Sequence, residues 1–331
     1  MNNKNNLIFG IGNPLIDLVI PVTDPDLIRL GINKGTMELV DQKRQKEIID
    51  HFSDIKPQFY PGGSAPNTIL ACSGLGIDSY IAGKIGQDNF GDIYLDRLKS
   101  YGVNSGLVNG NGTTGSSIIL VTPDGERSMN THLGMCRKFA PDDINVERLS
   151  KSKYLYFTGY MWDTDSQKKA IHKAISLAKE HGVKIVFDVA DPFVVERNRE
   201  AFLKLIREDI DIVFANEREL NILFSSKNVH HAIDSLTDIV QTGGIKLGKE
   251  GSVVFNEKKK YNIKPKPILV LDTTGAGDMY AAGFLASICR GSGYEEAGRV
   301  AVYLAEEIIQ IQGAQFQKKE IDILKSKIFE S

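Results

Sequence analysis

The densest chemistry in the chain lies in Asp272-Thr273-Thr274-Gly275-Ala276-Gly277-Asp278. An apolar run, Ile268 to Leu271, precedes it, and a segment rich in Ala and small apolar residues, Met279 to Arg290, follows it. The spacing predicts a strand, a Gly-x-Gly turn and a helix start. Such a junction gathers unpaired backbone N–H groups and a positive dipole end at one point, which suits an anion. Gly275 and Gly277 have no Cβ and let the backbone approach a phosphate closely. A carboxylate at the mouth of an anion site is repelled by the ligand unless it has a task. Held ionised by the helix terminus, Asp278 could take the proton of a hydroxyl attacking a phosphoryl group that the Gly275, Ala276 and Gly277 amides stabilise. The plainer reading is a helix N-cap above a tight turn.

Other polar groupings are less specific. Asn216-Glu217-Arg218-Glu219 follows an apolar run, and one helical turn puts Asn216 and Glu219 on the same face. Hard oxygen ligands of this kind hold Mg²⁺ mostly through its waters, although Asn followed by Glu three residues on is also a capping box. Gly10-x-Gly12 lacks the third glycine and the helix of a dinucleotide fingerprint, and no G-x-x-x-x-G-K-[ST] string occurs. Cys72, Cys136 and Cys289 are too far apart for a redox pair or a zinc quartet, and His230-His231 reads as solvated helix surface.

The elements that must position these residues alternate. Strand candidates Tyr154 to Phe157, Lys184 to Asp188, Ile212 to Ala215 and Ser252 to Phe255 are interleaved with helical spacing over Asp165 to His181 and Arg199 to Arg207. A further helix spans Glu295 to Gln310. This is the rhythm of a doubly wound, largely parallel α/β sheet. Residues 14–41 and 113–133 break it with short alternating pieces and a Pro123-Asp124-Gly125 turn, which predicts a small separate sheet set against the main body. A crevice between two such layers is a usual place for a small ligand. Composition is that of an ordinary globular chain: 331 residues, 42% hydrophobic, 25% charged, net charge −2. That balance gives no pull toward nucleic acid or anionic lipid, and no apolar run approaches the roughly 20 residues that span a bilayer. Met1 to Asn6 leads into the short run Leu7 to Ile11, too brief for a signal peptide, so the expected setting is a reducing cytoplasm.

The Asp272–Asp278 string resembles the C-terminal signature of the ribokinase-like, or PfkB, family of carbohydrate and nucleoside kinases. Gly62-Gly63-Ser64-Ala65-Pro66-Asn67 resembles its N-terminal glycine signature, and Gly12-Asn13-Pro14-Leu15-Ile16-Asp17 is similar to the opening of its adenosine kinases. The likeness runs from Ile8 to about Phe316. It implies a single kinase domain whose small discontinuous sheet is a lid over the substrate, with ATP and Mg²⁺ as cofactors and a nucleoside or sugar as the acceptor. By resemblance Asp17 binds sugar hydroxyls, aided by Asn13, Gly62, Gly63 and Asn67, and Arg127 reaches the transferring phosphate from the lid. Leu15, Leu39 and Met129 would sandwich a base, with Tyr160 or Met161 closing the other side. Thr242, Gly244, Gly248, Gly251, Thr274, Asn216 and Val302 fall on the nucleotide side, Glu219 joins Asn216 at Mg²⁺, and Asp272 and Thr274 match a K⁺ site of some relatives. Two positions depart from the pattern: Met37 stands where some adenosine kinases carry Gln, and Val302 where relatives often carry Asn or His. The expected reaction is transfer from ATP to the 5′-hydroxyl of adenosine, a purine-salvage step. A sugar or sugar-phosphate kinase and a nucleoside-binding sensor that no longer turns over stay open, as does a monomer or a homodimer.

Overall fold

Runs such as Tyr154–Thr158 and Ile212–Asn216 are apolar at successive positions, the pattern of strands covered on both faces, and both are inner strands in the computed structural model, which describes residues 7–330. The polar lead Met1 to Asn6 lies outside the described residues. In chain order the strands are β1 (Ile8–Ile11), β2 (Leu15–Pro21), β3 (Met37–Leu39), β4 (Gln58–Gly62), β5 (Ser79–Gly86), β6 (Asn104–Gly110), β7 (Gly115–Val121), β8 (Arg127–His132), β9 (Tyr154–Thr158), β10 (Lys184–Asp188), β11 (Ile212–Asn216), β12 (Thr242–Lys246), β13 (Ser252–Asn256) and β14 (Lys259–Ile263). Nine form the main sheet in the order β14-β13-β12-β11-β10-β9-β1-β5-β6. It is parallel from β6 to β12, with antiparallel β13 and β14 at one edge. The expected doubly wound α/β sheet is thus present.

Helices cover both faces. Asp165–Glu180 and Pro192–Asp209 bury Ala170, Ile171, Phe202 and Ile206 against one side, where Phe157 and Phe187 also pack. Helices Ser64–Gly74, Ala276–Cys289 and Tyr294–Ile308 cover the other, packing on Ile8, Ile81, Tyr156 and Phe214. Residues Met279 to Cys289 are all buried, because this helix is wrapped by other helices as well as by the sheet. Pro192 opens its helix seven residues earlier than the apolar spacing suggests, capped by Asp191, and a non-helical Asn198 kinks it.

Segments from 14–41 and 113–133 lie in a second sheet of five strands, ordered β3-β8-β7-β2-β4. The fifth strand, β4, comes from residues the sequence reading passed over. Alternation decides its two faces. Ile16, Leu18, Ile20, Ile118 and Leu120 are buried with Leu27 and Ile48 of the helices Asp24–Leu30 and Gln42–His51, while Leu15, Asp17, Ser117, Ile119, Met129 and Thr131 face the main body across a cleft. The β7–β8 hairpin turns at Gly125, φ 83°, as Pro-Asp-Gly predicts.

One expected strand is absent. Ile268 to Leu271 runs as irregular chain, with Leu269 86% and Leu271 67% exposed. Pro265 and Pro267 just before it cannot donate to a ladder, and the Leu271 and Asp272 amides bond instead to the Ile309 carbonyl. Among the described residues no helix is long and apolar enough to cross a membrane.

Candidate active site

Parallel sheets present their ligand crevice at the carboxyl ends of the strands. Here Asn13 follows β1, Thr158 and Tyr160 end and follow β9, Ala190 follows β10, Asn216 ends β11 and Lys246 ends β12, and all line one cleft of about 1150 Å³. The inner face of the smaller sheet forms a second wall, and residues Thr273 to Asp278 form a third side.

The helix start differs in detail from the sequence reading. Gly275, at φ 78°, is the N-cap, so Asp278 is the third helical residue and not the cap. A Cβ on Gly275 would stand 2.7 Å from the Ala314 Cα, so the turn needs glycine for space as well as for φ. The Ala276 amide bonds the Thr273 carbonyl at 3.3 Å, whereas the Gly275, Gly277 and Asp278 amides have no acceptor among the described residues. Asp278 is gripped from the opposite helix: Ser64 Oγ donates to Oδ1 at 2.6 Å and Asn67 Nδ2 to Oδ2 at 2.8 Å. Burial pushes its carboxyl up to about 7 despite those two bonds, whereas the sequence reading expected the helix terminus to hold it ionised. Asn67 Oδ1 in turn accepts from Gln315 Nε2, and Gln315 Oε1 from Arg97 Nε. Each end of the Asn67 amide thus makes one hydrogen bond inside the protein, which orients Asp278, while Asn67 also borders the cleft.

Asp17 extends from β2 toward the cleft. Its carboxylate lies over Gly62, where a Cβ would be 2.3 Å from Oδ2, so Gly62 makes room for this acid and does not itself border the cleft. Gly63 does, at φ 94°, against the Asn13 carbonyl. Among the described residues none donates a hydrogen bond to Asp17; burial raises its carboxyl to about 7, opposed by Arg127 and reinforced by Asp278. Asn13 is held by Gln167 Nε2 at 2.6 Å. Arg127 does not border the cleft: its Nη1 donates to both oxygens of Asp272, at 3.0 and 2.9 Å. Asp272 is thereby filled, since Thr274 N and Oγ1 and Gly313 N also donate to it, and these bonds hold its carboxyl low against the effect of burial.

Leu15, Leu39, Met129 and Met37 line the cleft on the side of the smaller sheet, with Tyr160 opposite. Met161 does not; it is fully buried in the core, together with Trp162 of the same turn, Gly159–Trp162. Between the apolar walls, Ser117 Oγ and Thr131 Oγ1 share a hydrogen bond. Gly248, Gly251, Thr274 and Val302 line the other half of the cleft, whereas Thr242 and Gly244 lie within β12. Thr242 bonds Asn256, and a Cβ on Gly244 would meet the Tyr280 ring and hydroxyl, so both are packing residues of the sheet.

Asn216 and Glu219 form the capping box: Asn216 Oδ1 accepts from Glu219 N, and Glu219 accepts from Asn216 N and Nδ2. Burial raises the Glu219 carboxyl, with Lys246 opposing. Among the described residues no three acidic, His or Cys side chains cluster as a direct metal cage; two engaged oxygen ligands fit Mg²⁺ only through its waters. Lys246 and Asp188 were missed by the sequence reading. The available signal was a lysine closing an apolar strand immediately before Gly248-Lys249-Glu250-Gly251.

With the geometry in place, comparisons with known proteins agree on one family. The model of the pfkB family of carbohydrate kinases matches residues 36–321. An uncharacterized sugar kinase from Archaeoglobus fulgidus is 29% identical over 252 residues, which cover 74% of this chain and 97% of that protein. Two solved structures superpose over nearly the whole chain. A probable sugar kinase from Rhizobium etli has a TM-score of 0.91 at 30% identity, covering 99% of both chains. The adenosine kinase from Sinorhizobium meliloti has a TM-score of 0.90 at 33% identity, covering 97% of this chain and 98% of that one. The fold is ribokinase-like.

Proposed function

The chain belongs to the pfkB family of carbohydrate kinases, and from that premise we propose that it transfers the γ-phosphoryl group of ATP to the 5′-hydroxyl of a nucleoside, adenosine above others. One observation carries the reading: a carboxylate near pKa 7 is held by two donors at a helix start with open amides, in a cleft whose acceptor side is an apolar slot.

In this account the five-stranded sheet is the lid of one kinase domain. The nucleoside lies between Leu15, Leu39 and Met129 on the lid and Tyr160 on the body, where a flat ring loses little on leaving water. Asp17, without a protein donor, accepts from the ribose hydroxyls, and a carboxylate with two oxygens suits two adjacent hydroxyls. Asp278 takes the 5′-hydroxyl proton as the bond to phosphorus forms. The Gly275 and Gly277 amides receive the charge on the transferring oxygens. Arg127 leaves Asp272 to join them as the lid closes. Gly248, Gly251, Thr274 and Val302 hold the nucleotide. Asn216 and Glu219 would hold Mg²⁺ through its waters, and the ion would supply charge neutralisation of the polyphosphate. K⁺ would act through the Asp272 and Thr274 backbone, the Asp272 carboxylate being full, and replacing K⁺ by choline in the assay tests this.

The likeness to the Rhizobium etli protein favours a second reading, a sugar kinase with the same chemistry. ADP release measured over adenosine, other nucleosides, ribose, fructose and fructose phosphates separates the two. The proposal expects adenosine to be the best acceptor; release with sugars and none with nucleosides would assign a sugar kinase. Adenosine binding without ADP release would assign a sensor.

A further inference from the structure

Lys246, the least exposed of the lysines that line the cleft, has no task in the account above. Lys246 ends β12, and its ammonium donates to Asp188 Oδ2 at 3.1 Å. It also lies against the helix start, since a Cβ on Gly277 would stand 3.3 Å from Nζ. The two side chains are 18% and 5% exposed. A buried ammonium is costly unless its donors are met, and an ammonium has three. Asp188 takes the one hydrogen bond that Lys246 Nζ makes among the described residues, and Lys246 lines the cleft, so the remaining donors are available to a ligand there. Asp188 is itself fixed: its Oδ1 accepts from the amide of Ala190, a non-glycine residue at φ 77°. Backbone strain of that kind is kept where the surroundings hold it in place, and Ala190 also lines the cleft.

The charges around this point need a cation. Asp188, Glu219 and Asp278 all act on one another or on Lys246, and an incoming polyphosphate would be repelled by three carboxylates. Arg127 is on Asp272 until the lid closes, so it does not offset these charges as the nucleotide enters. Burial alone would lower the Lys246 value, but Asp188 and Glu219 overcome it and raise it, so the side chain stays charged.

We propose that Lys246 is a catalytic cation of the transfer site, oriented by Asp188 and bonded to the β- and γ-phosphates of the nucleotide beside the Gly277 amide. The proposal rests on the cleft being a phosphoryl-transfer site and not on which alcohol accepts.

The test is calorimetric binding of Mg·ADP and of adenosine, with kcat, for Lys246→Met, Lys246→Arg and the pair Lys246→Met/Asp188→Asn. Losing a charged hydrogen bond to phosphate should weaken ADP by about tenfold or more and lower kcat by about 10²-fold. Adenosine affinity should stay within about twofold. Lys246→Arg should retain ADP binding better than Lys246→Met, because it keeps the charge. If Lys246 only balances Asp188, the paired variant should regain both thermal midpoint and ADP affinity, and that result would overturn the proposal. Recovery of the midpoint without ADP affinity supports it. ADP binding is read with no acceptor present, so a wrong acceptor assignment leaves this result intact.

Discussion

The two ends of the cleft are built on opposite principles. At the helix start the polar side chains are held by fixed partners: Ser64 and Asn67 hold Asp278, Gln315 holds Asn67, Thr274 and Gly313 hold Asp272, and Asp188 holds Lys246. At the smaller sheet the walls are apolar, Ser117 and Thr131 satisfy each other, and Asp17 has no donor among the described residues. The first end is preorganised, as charge stabilisation requires. The second leaves its hydrogen-bonding capacity for the ligand. In the proposed reaction, chemistry would be fixed at one end and choice of acceptor exercised at the other.

That contrast can be broken by substitution. Asp278→Asn should lower kcat by about 10³-fold, within the range of a lost general base, while adenosine affinity changes by less than about twofold; steady-state kinetics and calorimetry read the two. A comparable loss of affinity would mean that the ends are not separate.

Asp17→Asn should lower kcat/KM for the acceptor by about 10²-fold through lost charged hydrogen bonds, with ADP affinity unchanged. It should also stabilise the fold at alkaline pH. The folded carboxyl sits near 7 and the ordinary value is 3.8, so the native state favours the protonated acid. The cost of ionising it is absent below about pH 4 and complete above about pH 7. Thermal midpoints of Asp17→Asn and wild type should therefore diverge at pH 8 and converge near pH 4; a constant gap would remove desolvation as the cause.

Arg127→Met should lower kcat by about tenfold, the value of one charged contact, and should leave adenosine binding intact. The smallest effect is expected from Met129→Ser, which removes apolar wall: KM for adenosine should rise by about three- to tenfold, and kcat and ADP affinity should not move. A kcat effect at Met129 would blur the division.

Much of the helix start was legible because its residues are continuous in the chain, and the Pro-Asp-Gly turn and the strands β9, β10, β11 and β13 were legible for the same local reasons, whereas β12 was not. The errors have local causes too. Ile268 to Leu271 has a strand's composition, but the prolines before it and the Ile309 carbonyl keep it out of the sheet. Asp278 has a cap's residue type, but Gly275 alone fits the left-handed turn. The glycine loop that borders the cleft begins after Lys246, since Thr242 to Gly244 are needed as flat strand under Phe255 and Tyr280. Lys246 beside Asp188 and Gly277, or Gln315 behind Asn67, could not be read from spacing, because the pairs meet only when distant strands and helices pack. The raised value of Asp278 is a property of burial, which no string of residues displays.

The account's central claim is that an acceptor nucleoside meets two carboxylates, both near pKa 7, at the junction of these two ends. The most direct test is AMP formation from adenosine and ATP, with kcat/KM followed from pH 5.5 to 8.5. Both groups must be ionised to act, so kcat/KM should fall as pH drops through about 7, with a slope between one and two on logarithmic axes. A flat profile across that range, or no AMP at any pH, would contradict the account.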